Sequence, residues 1–241
     1  MRNYNAERIN TMSDDNIIPF QPRSKIEESQ KYRPPPMLNI PPATKILTGL
    51  IIFIHLGIFG LTNSFMPNAE YIASYFGGFT AASWSGIGDF YSWTPFTIFT
   101  FSFLHGGWLH LGFNTVMLVA MGSGLEKSMG IKKYLIIYFG STLFAVLAHL
   151  AIYPASTMPI IGASGGISGV FGAMLILLNK QSSMDTGIRT KLLPIIAIYI
   201  GITILIGLMG GPDGSSVAWV AHIGGFLAGI GIMLGFLKSQ K

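Results

Sequence analysis

Cysteine is absent from all 241 residues, which excludes disulfides, thiolate metal sites and a cysteine nucleophile. Charge is scarce. Asp, Glu, Lys and Arg make up 10% of the chain against 50% hydrophobic residues, and mean hydropathy is +0.54. That balance excludes an ordinary soluble domain and points to a membrane protein. A sustained basic patch is also missing. The formal charge is +5, but the bases are scattered, so no nucleic acid partner is expected. No apolar core lies near Met1, so no signal peptide is predicted. No metal and no cofactor are expected.

What is present sorts into a tail and six apolar runs. Residues 1–44 mix acids and bases without apolar periodicity and end in Pro34, Pro35, Pro36, Pro41 and Pro42. They predict a flexible cytoplasmic tail with an extended, proline-rich linker. Residues 45–238 predict one all-α membrane domain of six transmembrane helices. The spans are expected at about Ile46–Leu61, His105–Ser123, Lys133–Ile152, Ser164–Asn179, Leu192–Met209 and Val217–Leu237. The connection 62–104 is rich in aromatics and glycine and holds Glu70 and Asp89 but no Lys or Arg. A loop of this length and composition predicts short helices in the outer leaflet.

All 15 Lys and Arg fall on one side of this plan. Seven precede the first span, and Lys127, Lys132 and Lys133 join the second to the third. Lys180, Arg189 and Lys191 join the fourth to the fifth, and Lys238 and Lys241 follow the sixth. By the positive-inside rule both termini are cytoplasmic.

Spans two, four and six then run from outside to inside, and each carries polar residues near its outer end. Ser164 precedes Lys180 by sixteen residues and His222 precedes Lys238 by sixteen, a depth of about 24 Å in each case. His110 and Asn114 lie about 25 and 20 Å from Lys127 on the same scale. The four residues therefore share one layer of a hydrocarbon core about 30 Å thick. His110 and Asn114 are four apart, on one helix face. His222 shares a face with Gly225 and Gly229, while Gly165, Gly169 and Ala173 follow Ser164 at four-residue spacing. Two small-residue faces predict close approach of the fourth and sixth helices, which would bring Ser164 beside His222.

A serine hydroxyl is a weak nucleophile until a base takes its proton, and a neutral imidazole does so near pH 7. No Asp or Glu lies within spans four or six; the nearest, Asp213, stands nine residues before His222 in a loop. A dyad is therefore expected rather than a triad. The amide of Ser164 opens a helix at its positive end, and His110 and Asn114 can add side-chain donors for a developing oxyanion. The set reads as a serine hydrolase site in a polar cavity open to the outside.

Three motifs carry a family resemblance. They are Gly162-Ala163-Ser164-Gly165, then Ala221-His222-Ile223-Gly224-Gly225 with Gly229, and Phe103-Leu104-His105 followed by His110-Leu111-Gly112-Phe113-Asn114. With Glu126 beyond the last, they resemble the rhomboid family of intramembrane serine proteases over about residues 45–238. The resemblance implies a six-transmembrane-helix rhomboid-like bundle. It implies Ser164 as nucleophile, His222 as general base, His110 and Asn114 in the oxyanion hole, and a mainly structural His105. Gly162, Gly165, Gly225 and Gly229 would support the site. The implied partners are the lipid bilayer and a transmembrane protein substrate, cut near the outer end of its helix. The fifth helix and the loop Gly210–Ser216 would act as gate and cap. Where many members carry Trp-Arg in the first outer loop, this chain has Phe96 and Thr97. The short six-span form predicts a bacterial inner membrane. The alternative is a catalytically silent relative that binds transmembrane helices; such proteins lose the serine or the histidine, and this chain keeps both.

Overall fold

The computed structural model describes residues 39–181, 188–209 and 218–239. The chain divides into Met1–Asn39 and Ile40–Lys241, and only the second unit is described below. Its long helices are α1 (Pro42–Ser64), α2 (Trp108–Met129), α3 (Ile131–Ile152), α4 (Ser164–Gln181), α5 (Ile188–Met209) and α6 (Trp219–Lys238). Strands are missing among the described residues; a lone antiparallel bridge pairs Phe79 with Ile160. Among the described residues five helices are long and apolar enough to cross a membrane, and the apolar stretch of α4, Ser164–Lys180, is shorter. The chain is a multi-pass integral membrane protein.

Boundaries differ from the sequence expectation for local reasons. The helix α1 begins at Pro42, inside the stretch read as an extended linker, because proline suits the first helical position, where no N–H is needed. No side chain of its own caps α1. Instead the carboxylate of Glu126 on α2 accepts the Ala43 amide at 2.9 Å, the Thr44 amide at 2.7 Å and the Thr44 hydroxyl at 2.8 Å. A negative group thus meets the unpaired N–H groups and positive dipole end of another helix. The helix α2 does not stop at Ser123 but continues to Met129 through a π-helical turn at Leu118–Gly122. Gly130, at a φ of 80°, then reverses the chain into α3.

The core explains why α4 can be short. It packs against both α3 and α6, which also pack against each other. Residues 165–170 are buried without a break, so this turn and a half meets protein on every side. The contacts with α6 are backbone to backbone. A side chain at Gly225 would collide with the carbonyl of Gly165, and one at Gly229 with the carbonyl of Gly169. Small residues allow the dispersion contact that replaces a hydrophobic driving force in lipid. Around this axis Leu47 and Ile51 of α1, Leu118 and Leu125 of α2, Tyr134 and Tyr138 of α3 and Met233 of α6 form one apolar core.

The 62–104 connection contains short helical pieces at Ala69–Gly77, Ala81–Trp84 and Thr94–Phe103. At the position of the common Trp-Arg, Phe96 is exposed, whereas Thr97 is buried and donates its hydroxyl to the Thr94 carbonyl at 2.6 Å. The Thr97 hydroxyl is therefore satisfied within its own helical turn.

Candidate active site

The segment before α4 is fixed before the helix begins. Ile160 exchanges two backbone bonds with Phe79, and the Gly162 amide donates to the Phe101 carbonyl at 2.8 Å. Gly162 itself sits at a φ of 121°, in the region that only glycine adopts without strain. A Cβ there would also meet His110 Nε2 at 2.7 Å. Both backbone conformation and space demand glycine at this point. His105 is buried beneath, with Nε2 toward the Ala163 amide at 3.5 Å, and its ring meets that of His110 edge-on at 5.0 Å between centroids.

Ser164 follows as the first residue of α4. Its Oγ lies 2.6 Å from Nε2 of His222 on α6. The glycine contacts between α4 and α6 set this distance, since they hold the two backbones together one turn further into the bundle. A cavity of about 820 Å³ reaches the pair and is also lined by Gly106, His110, Asn114 and Gly162. Asn114 is buried and gives one amide N–H to the His110 carbonyl at 2.8 Å, which fixes the side chain and leaves it a second N–H. The helix α6 starts at Trp219, so His222 lies in its first turns, and α2 brings His110 and Asn114 from the other wall.

A hydroxyl at hydrogen-bond distance from an imidazole, beside a helix N-terminus and an amide, is an arrangement that can activate an oxygen nucleophile. The distance is the decisive geometric observation. Asp213 and the loop Gly210–Ser216 lie outside the described residues.

Comparison with known proteins agrees with this architecture. A model of the Rhomboid domain matches residues 92–239, more than half of the chain. The chain belongs to the rhomboid family. Its relatives include the Rhomboid protease GluP of Bacillus subtilis (strain 168), 32% identical over 127 residues, which are 52% of this chain and 23% of that protein. RHOMBOID-like protein 5 of Arabidopsis thaliana is 34% identical over 134 residues, 56% of this chain and 41% of that protein. Rhomboid protease AarA of Providencia stuartii is 30% identical over 155 residues, 56% of this chain and 53% of that protein. This rhomboid therefore spans between 23 and 53% of the length of these relatives.

Two features of the rhomboid site were not singled out from sequence. His149 of α3 lines the cavity, and both its ring nitrogens are buried without a hydrogen-bond partner. A histidine near the C-terminal end of an apolar span was the available signal. The second is Ser168, whose hydroxyl donates to the Ser164 carbonyl at 2.7 Å and accepts from Tyr199 of α5 at 2.7 Å. In sequence Ser168 reads as one more small packing residue.

Proposed function

We propose that this rhomboid is an intramembrane serine endopeptidase using a Ser164–His222 dyad. The observation that carries the reading is the 2.6 Å contact between Ser164 Oγ and His222 Nε2 at the cavity. Names of relatives, rhomboid proteases of two bacteria among them, agree with a hydrolase. In this scheme His222 Nε2 takes the Ser164 proton as Oγ attacks the scissile carbonyl. The Ser164 amide, His110 and the second N–H of Asn114 hold the oxyanion. His222 then gives the proton to the leaving amine, and a water activated by the same imidazole releases the acyl group.

The substrate class is a transmembrane segment of another protein, cut near its outer end. The reading includes six spans, α4 among them, with residues 1–44 and the C-terminus in the cytoplasm. All 15 bases on one side of that plan support it. A helix as enclosed as α4 need not match the lipid thickness by itself. The membrane itself is left open, since bacterial and plant relatives match alike. The second reading, a silent binder of transmembrane helices, is separated from the first by reactivity.

The test is labelling by a fluorophosphonate in detergent. Intact protein is expected to label at Ser164 and the His222→Ala variant to lose labelling by about a hundredfold or more. A well-folded intact protein that labels no faster than His222→Ala supports the silent binder. Gly162→Ala is expected to cut the labelling rate by about a hundredfold as well, because His110 and the Ser164 amide shift out of line. Labelling at the rate of the intact protein would mean that Gly162 matters to neither.

A further inference from the structure

The connection between α1 and α2 exposes a cluster of aromatic rings that the catalytic scheme does not use. Tyr75, Tyr91, Trp93 and Phe76 form a closed circuit. Ring centroids lie 6.5 Å apart from Tyr75 to Tyr91 and 4.4 Å from Tyr91 to Trp93, whose planes are 5° from parallel. They lie 4.9 Å apart from Trp93 to Phe76 and 5.2 Å from Phe76 back to Tyr75. Tyr75 and Phe76 are 44 and 47% exposed, while Tyr91 and Trp93 are partly buried. None of the four lines the cavity.

One carboxylate joins the circuit. The Tyr91 hydroxyl donates to Asp89 Oδ2 at 3.0 Å and accepts from the Tyr75 hydroxyl at 3.4 Å. The bond with Tyr75 and then the bond with Asp89 hold the Tyr91 hydroxyl above its ordinary range, so the charge of the circuit is that of Asp89. Asp89 is exposed, and its carboxylate has room for further donors. Between Ser64 and Trp108 the chain holds Glu70 and Asp89 but no Lys or Arg. Carboxylate and ring faces therefore present the same negative sign, with no base beside them to neutralise it.

Such a surface suits an ammonium group, and its level in the fold says which one. The connection starts where α1 ends at Ser64 and finishes where α2 begins at Trp108, so it lies at the ends of two spans, where lipid headgroups are packed. Phe65, Ile87 and Phe90 of the same connection are 87, 63 and 57% exposed, a surface made for the headgroup boundary and not for water.

We propose that the circuit of Tyr75, Phe76, Tyr91 and Trp93, with Asp89, binds the ammonium headgroup of a zwitterionic phospholipid and so docks the connection on the membrane. Choline and ethanolamine heads both qualify, because each carries a cation at its outer end. A glycerol head has no cation and brings only its phosphate charge, which the Asp89 carboxylate repels. Each contact is weak at an exposed site. Lipid surrounds the loop at high density, so a weak site is still filled by mass action. The site does not depend on the protease reading, nor on which leaflet the connection faces.

The cysteine-free chain allows a local readout. Ser92→Cys, an exposed position between Tyr91 and Trp93, is labelled with a benzophenone in the full chain. The protein is placed in nanodiscs of equal choline and glycerol phospholipid with the same acyl chains. Both leaflets of a nanodisc are alike, so orientation drops out. On illumination the choline lipid is expected to be captured about threefold over the glycerol lipid, the scale of an exposed cation–π contact. Ethanolamine lipid in its place should do the same. Asp89→Asn keeps an acceptor for Tyr91 and loses only the charge, and it should bring the ratio close to one. Tyr91→Leu should do so as well. Equal capture by the parent overturns the site, and so does a preference that neither variant lowers. Equal capture of the two lipids together with crosslinking of an added lysine-bearing transmembrane peptide also overturns it, and gives the patch to a protein partner.

Discussion

Ser164→Ala is expected to reduce cleavage of a reconstituted transmembrane substrate to background, a loss of at least about a thousandfold, while the protein stays folded and inserted. The size follows from the role: without Oγ no acyl-enzyme forms, and His222 retains only whatever water it can activate. The fold should survive because the side chain lost is small and its hydroxyl is bonded to His222 rather than to the packing faces of α4. Deleting a single hydrogen bond of this kind costs about 1 kcal/mol. Packing of α4 rests on other residues, Gly165, Gly169 and Val170 among them. Cleavage in proteoliposomes and thermal melting in detergent would be measured on the same preparation. Persistent cleavage removes Ser164 from the chemistry. A parallel collapse of melting temperature would instead make the serine a packing residue.

The largest effect on stability is expected at Glu126, which does not line the cavity. Glu126→Ala leaves the Ala43 amide, the Thr44 amide and the Thr44 hydroxyl without their acceptor. Glu126 is 5% exposed and Thr44 fully buried, so water does not readily replace it. Each orphaned donor costs about 1 to 3 kcal/mol, and the set should lower stability by about 3 kcal/mol or more. Lost attraction between the carboxylate and the α1 dipole adds to this. The expected readout is a clear fall in melting temperature, with Glu126→Gln intermediate because one oxygen still accepts. Fluorophosphonate labelling per folded molecule should be close to that of the parent. A melting temperature equal to the parent's would show that α1 is anchored by its apolar contacts alone, Leu47 and Ile51 above all.

The Glu126 clamp also illustrates what sequence could and could not convey. The approach of Ser164 and His222 was legible because it depends on local patterns: two faces of small residues, and equal distances to the flanking lysines. Helix periodicity turns such patterns into geometry directly. His110 and Asn114 were legible for the same reason, being one turn apart. The pairing of Glu126 with Thr44 joins residues 82 positions apart, and nothing in either neighbourhood announces it except that α1 lacks a capping side chain. Tyr199 and Ser168 are 31 apart on different helices, and each blends into its own stripe, aromatic or small. The end of α2 was missed because Ser123 and Gly124 look like a stop. Tertiary contact at Leu125 and Glu126 carries the helix through.

The π turn at Leu118–Gly122 acts on the helix as a phase adjuster. An α-helix advances about 100° per residue, so twelve residues would leave Asn114 and Glu126 about 120° apart around the axis. One extra residue in a π turn brings them to within about 20° of each other. Both side chains are buried, each 5% exposed, and in lipid neither tolerates facing outward. The two ends of α2 thus serve different clients, the cavity at one and the α1 terminus at the other, from a single face. Removing one residue from Leu118–Gly122 would restore regular winding and leave the two side chains still within about 20° of each other, whereas adding one would swing Glu126 about 100° away from the α1 terminus. An insertion there is therefore far less tolerable than a deletion, although the turn itself carries only the apolar side chains of Leu118, Val119, Ala120 and Met121 with Gly122.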